Sequence, residues 1–176
     1  MPKILFDALL HVHYGQAYVI PEGSPGIGLE DAFCGQKNGL CGASVPDYLF
    51  FITGLHTGGV QFRVELHECS PVNLDEWDEV VEVPFSASRP VNLEEWAGEA
   101  VYPLQVPKGQ YRARYAANGM DAGSSVDTPK RAPIHTCSSS GPPPHRLRTR
   151  SSSKPVGAPS TGTTRCGNGL VKPVVI

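Results

Sequence analysis

The sequence predicts an all-β protein: an antiparallel β-sandwich of about seven or eight strands over residues 1–128, followed by a disordered tail over residues 129–176. Three observations predict it. Gly (19) and Pro (17) make up about a fifth of the 176 residues, and both are poor helix formers. No segment of about a dozen residues keeps helical periodicity without a breaker. Short runs rich in Val, Ile, Leu and aromatic residues alternate instead with turn residues, as in sandwich sequences. With 40% hydrophobic residues, the chain can fill one core but is too short for two full-sized domains.

The strands follow in order. Residues 4–14 and 17–20 come first, and His11-Val12-His13-Tyr14 alternates as a half-buried strand should. Residues 21–46 read as a long Gly- and Pro-rich loop, and residues 48–53 as an apolar strand. Residues 60–67 set Val60, Phe62, Val64 and Leu66 against Gln61, Arg63, Glu65 and His67, the clearest two-residue period in the chain. Residues 80–85 repeat the pattern with Val81, Val83 and Phe85. Residues 99–106 and 110–116 complete the set; in the latter, Tyr111 and Tyr115 share one face and Arg112 and Arg114 the other. Residues 74–81 form a short helical turn at most.

A net charge of −2 hides two unlike pieces. Residues 1–128 hold all 17 acidic residues and seven basic ones, a net −10; residues 129–176 hold eight basic residues and no acid, a net +8. The second piece has no Phe, Tyr or Trp and is dominated by Ser, Thr, Pro, Gly and Arg. It has too little to bury to offset the entropy of ordering, so it reads as disordered. Its arginines could meet phosphate, but without aromatic side chains to stack on bases nucleic acid is not the expected partner. The abrupt change also looks like out-of-frame translation. The segment Ile134-His135-Thr136-Cys137-Ser138-Ser139-Ser140-Gly141-Pro142 can be encoded so that a neighbouring frame reads Pro-Tyr-Leu-Leu-Gln-Phe-Trp-Pro, a strand-like sequence. On that reading the domain lacks its final strand.

No apolar run approaches the roughly 18–20 residues of a membrane span. The first ten residues carry Asp7 within their apolar stretch and no small-residue cleavage site, so no signal peptide is expected.

One internal repeat stands out. Pro71-Val72-Asn73-Leu74-Asp75-Glu76-Trp77 recurs as Pro90-Val91-Asn92-Leu93-Glu94-Glu95-Trp96, with Asp75 replaced by Glu94. Asp75, Glu76, Asp78, Glu79, Glu82, Glu94, Glu95 and Glu99 together form the densest acidic region. Such a field can steer a basic partner, with Trp77 and Trp96 as buried props or as interface anchors. The candidate partner-binding residues are therefore Asp75, Glu76, Trp77, Asp78, Glu79, Glu94, Glu95 and Trp96.

Chemistry-bearing motifs are sparse. His11 and His13, two apart on a strand, point to one face and could supply two metal ligands, with His56 and His67 as neighbours; no carboxylate or Cys at ligand spacing completes the set. Cys34 and Cys41 are not spaced as a zinc knuckle and are expected to be reduced thiols, as is Cys69. Gly26-Ile27-Gly28 lacks the rest of a dinucleotide fingerprint, and no nucleophile elbow, zincin or P-loop motif occurs. No catalytic residue and no cofactor are expected.

Three patches, His13-Tyr14-Gly15-Gln16-Ala17-Tyr18-Val19, residues 58–66, and Leu104-Gln105-Val106-Pro107-Lys108-Gly109-Gln110-Tyr111-Arg112, give residues 4–117 a layout that resembles the competence protein J family, small inhibitors of a DNA-entry nuclease. The Gly-rich stretch between Cys34 and Cys41 departs from that pattern. The resemblance implies a non-enzymatic, cytoplasmic sandwich that binds a protein. The expected function is thus recognition of a basic protein such as a nuclease through acidic loops, with no membrane partner; the alternative is a small metal-binding module or enzyme built on the strand histidines.

Overall fold

The computed structural model describes residues 2–69, 76–126 and the backbone of 172–175. Two five-stranded sheets face each other. The first runs in the order β1 (Lys3–Val12), β5 (Gly58–Leu66), β10 (Lys172–Val175), β9 (Gly109–Ala117), β6 (Glu79–Ala87); the second in the order β3 (Cys41–Gly42), β4 (Leu49–Ile52), β2 (Gln16–Pro21), β7 (Val91–Glu94), β8 (Val101–Leu104). Pairing is antiparallel throughout except between β10 and β9. The all-β sandwich expected from composition and patterning is what the chain forms. No helix among the described residues is long and apolar enough to cross a membrane.

The alternating strands behave as their patterns dictate. Phe62 and Val64 of β5, Val83 and Phe85 of β6, and Tyr111, Ala113 and Tyr115 of β9 turn inward and are buried. Their alternates form the outer face, where Glu82 meets Arg114 Nε at 2.7 Å and Arg112 at 3.5 Å. The inner core closes against Val19, Leu49, Phe51, Val91 and Leu93 of the second sheet.

The second sheet is buried on both faces. Tyr18, Ile20, Phe50 and Ile52 point away from the first sheet into a smaller cluster with Ala32 and Phe33. Those two belong to α1 (Leu29–Phe33), so the stretch expected to be a plain loop supplies a lid over this sheet. It packs so closely that a Cβ on Gly42 would sit 2.8 Å from the Ala32 carbonyl oxygen. A second short helix, α2 (Met120–Val126), packs against the Gly54 backbone.

Three strands were not anticipated. β3 is only two residues long. β7 is built from the second copy of the repeated heptapeptide, read above as a loop. β10 comes from the end of the segment read as a tail, where Pro173-Val174-Val175 restores an apolar, β-branched run. The rest of that segment, including the out-of-frame reading at residues 134–142, lies outside the described residues.

β10 has four residues, whereas β5 and β9, which flank it, have nine each. It pairs with residues 111–114 of β9 and 65–66 of β5. The seam between the two long strands is therefore bridged over part of its length.

Candidate functional site

The β1–β2 connection is a two-residue turn, Tyr14-Gly15, with φ of 54° and 65°, closed by the Gln16 N–H donating to the His13 carbonyl at 3.1 Å. Gly15 is required twice over. It adopts positive φ, and a Cβ there would lie 3.1 Å from the Thr53 carbonyl oxygen. The turn carries the chain from the edge of the first sheet into the second and sets the rings of His13 and Tyr14 beside Trp96, at centroid distances of 5.5 and 5.4 Å. The His56 ring closes on Tyr14 at 5.2 Å.

Trp96 sits in the β7–β8 connection. Here Ala97 and Gly98 take positive φ, and the Glu95 N–H donates to the Ala100 carbonyl at 3.0 Å. The loop turns Glu95 inward, leaving it 7% exposed. Its Oε1 accepts the backbone N–H of His11 at 2.8 Å and the Tyr102 hydroxyl at 3.3 Å. One carboxylate thus joins the edge of the first sheet to the edge of the second. Burial, then the adjacent Glu95 charge and its hydrogen bond, raise the Tyr102 phenol above its ordinary range, so it stays a donor at neutral pH. His11 Nδ1 lies 3.9 Å from Glu99 Oε2, both side chains being half-exposed. His13 Nδ1 is shut off from solvent and is the one buried side-chain polar atom without a hydrogen-bond partner among the described residues.

Beside this cluster a cleft of about 450 Å³ is lined by Tyr18, Ile20, Ile27, Glu94, Glu95 and Trp96, among others. It combines apolar walls with an indole and the acidic Glu94.

The other acidic segment lies apart. Glu76, Trp77, Asp78 and Glu79 are exposed, Trp77 at 42%. Asp78 caps the end of β9, its Oδ2 accepting the Gly119 N–H at 2.9 Å and its own N–H donating to Asn118 Oδ1 at 2.8 Å. Asp75 lies outside the described residues. Residues 76–79 and the His11–Tyr14 end of β1 share one end of the first sheet but sit at its opposite edges. Four strand spacings separate those edges, roughly 19 Å.

Several expectations change accordingly. The two acidic loops are separate patches rather than one rim. Glu95 is a buried brace, so it is not a free contact residue, whereas Glu94 and Trp96 line the cleft. His11 and His13 do share a side, their rings 6.0 Å apart; no carboxylate at ligand spacing in the sequence completes a set, but Glu95 and Glu99 reach His11 from more than 80 residues away. His67 is elsewhere, bonded to Glu65 at 2.8 Å. Tyr14 and Tyr102 belong to the site and were absent from the sequence candidates; Glu99, also of the site, was read as part of the acidic region. Cys34 and Cys41 are free thiols, and burial pushes the Cys41 thiol far up. Cys69 is disulfide-bonded, contrary to expectation.

No family model, no curated protein and no solved structure matches this chain.

Proposed function

We propose that the protein is a non-enzymatic binding module that takes a basic segment of a partner protein into the cleft under Trp96. The cleft itself carries the reading. The apolar walls at Ile20 and Ile27 suit the methylene stem of a Lys or Arg, the Trp96 indole suits its cationic head, and Glu94 provides the opposite charge. The exposed patch at residues 76–79, with Trp77, adds field at a distance and accelerates encounter with a basic surface. A basic nuclease in the cytoplasm is the partner that the resemblance to the competence protein J family nominates, and the mode needs no cofactor.

A hexalysine peptide titrated against the intrinsic tryptophan fluorescence is expected to give a saturable change that weakens steeply with salt. Glu94→Lys, which keeps the Trp96 reporter, should abolish it. Affinity capture from the native cell should lose its basic partner when Glu76, Glu79 and Glu94 are changed to Lys. Glu95 is spared in that variant because reversing a buried brace would unfold the edge. An undiminished peptide response in Glu94→Lys, or an unchanged set of captured partners, overturns the proposal.

A further inference from the structure

We propose that His11, Glu95 and Glu99 form a binding site for one divalent transition-metal ion of the zinc or manganese class. One donor atom from each residue lies within 4.8 Å of the others. The three come from two elements: His11 from β1, Glu95 and Glu99 from the β7–β8 loop that folds over its edge.

The geometry is that of one fixed ligand and two adjustable ones. Glu95 is held by the His11 N–H and the Tyr102 hydroxyl, the outer partners that orient a metal-binding carboxylate. Those partners are neutral, and among the described residues no Lys or Arg pairs with Glu95. A carboxylate buried to this degree ordinarily has a cation beside it or coordinates a metal. His11 and Glu99 are half-exposed and can swing from their present 3.9 Å separation to meet an ion at about 2.0–2.2 Å. His13 stands beside the group, its ring 6.0 Å from that of His11, and its enclosed Nδ1 has no hydrogen-bond partner among the described residues.

The donor set chooses the metal. One imidazole nitrogen and two carboxylates suit zinc or manganese. Calcium needs six to eight oxygens, and copper(I) prefers sulfur ligands. The site leaves coordination positions for water, so it is a binding site rather than a closed structural one.

Glu95 borders the peptide cleft, but the peptide reading rests on Trp96 and Glu94, so the ion alone tests this inference. Protein stripped with chelator is titrated calorimetrically with Zn²⁺, then with Mn²⁺. One equivalent is expected to bind, and Glu99→Gln and His11→Ala should each weaken binding at least tenfold while the far-ultraviolet spectrum stays native. His67→Ala, at a separate imidazole, should leave the affinity unchanged. Neither substitution touches the hydrogen bonds that fix Glu95, since His11 uses its backbone there, so both variants should fold. Absence of one-to-one binding, or an affinity in Glu99→Gln and His11→Ala equal to that of the unaltered protein, overturns the proposal.

Discussion

Phe51→Ala is expected to destabilise the protein by about 3–5 kcal/mol, the usual cost of emptying a buried phenylalanine site. Phe51 is fully buried and reaches from β4 across the space between the sheets. Its ring meets Phe62 at 5.6 Å and Tyr115 at 5.3 Å. Tyr115 cannot swing into the hole, because its hydroxyl donates to the Ile52 carbonyl at 3.1 Å in a buried setting. The cavity would therefore persist, and part of the loss is missing dispersion contact rather than transfer from water. A domain of this size has about 5–15 kcal/mol in total, so the variant would sit near the unfolding threshold. Urea unfolding with an unchanged slope but a much lower midpoint is the expected record. Leu9→Ala makes the control: Leu9 is 67% exposed, and its removal should stay within about 0.5 kcal/mol. A cost below about 1 kcal/mol for Phe51→Ala would mean that the two sheets do not meet as described.

The second large effect is expected at Asp47, just before β4. Its Oδ1 accepts the Ser86 hydroxyl at 2.8 Å and the Ser88 N–H at 3.0 Å, its Oδ2 accepts the Ser88 hydroxyl, and its own N–H donates to Ser86 Oγ at 3.2 Å. The residue is 8% exposed. It ties the second sheet to the end of β6 in the first. Its φ of 69° lies in the left-handed region, which Asp and Asn tolerate better than other side chains. Asp47→Ala removes an acceptor for three donors and adds strain, for an expected loss of about 2–4 kcal/mol. Asp47→Asn keeps the backbone preference and loses less.

The same residue gives stability a pH dependence. Burial alone would raise its carboxyl, but the hydrogen bonds from Ser88 and Ser86 and the charge of Arg89 outweigh it and lower the titration below the ordinary value. A depressed folded value means that the unfolded chain binds the proton more readily. The stabilisation is thus complete above the unfolded value of about 3.9 and disappears as the pH falls through the lower folded one. Urea midpoints of the protein and of Asp47→Asn, compared from pH 7 to pH 2, should differ by a constant amount at the upper end and converge below about pH 4. A gap that stays constant to pH 2 would show that the charge contributes nothing.

The architecture was legible wherever burial follows a short period. β5, β6 and β9 each alternate, and each buries the face that its pattern marks. β7 was not legible, because Val91-Asn92-Leu93-Glu94 is too short for periodicity and repeats a sequence that stands elsewhere next to an exposed Trp77. The long stretch between β2 and β4 concealed α1, since five residues between glycines carry no periodic signal. The site was half legible. His11 and His13 share a side because strand geometry demands it, and Glu94, Glu95 and Trp96 were singled out by charge and repetition. Their convergence was not legible, for it depends on how a positive-φ loop folds one edge over the other, and that is decided by tertiary packing. Burial of Glu95 is the clearest case: it reads as one more solvated acid until the His11 amide is placed against it.

A single side chain therefore serves as the latch between the two layers, where β1 meets the β7–β8 loop. Cohesion and the proposed ion site draw on the same carboxylate, and neither can be retuned alone. Substitution is freer at Glu94 and Glu99, which carry no such bridge, while position 95 stays frozen by the scaffold it fastens.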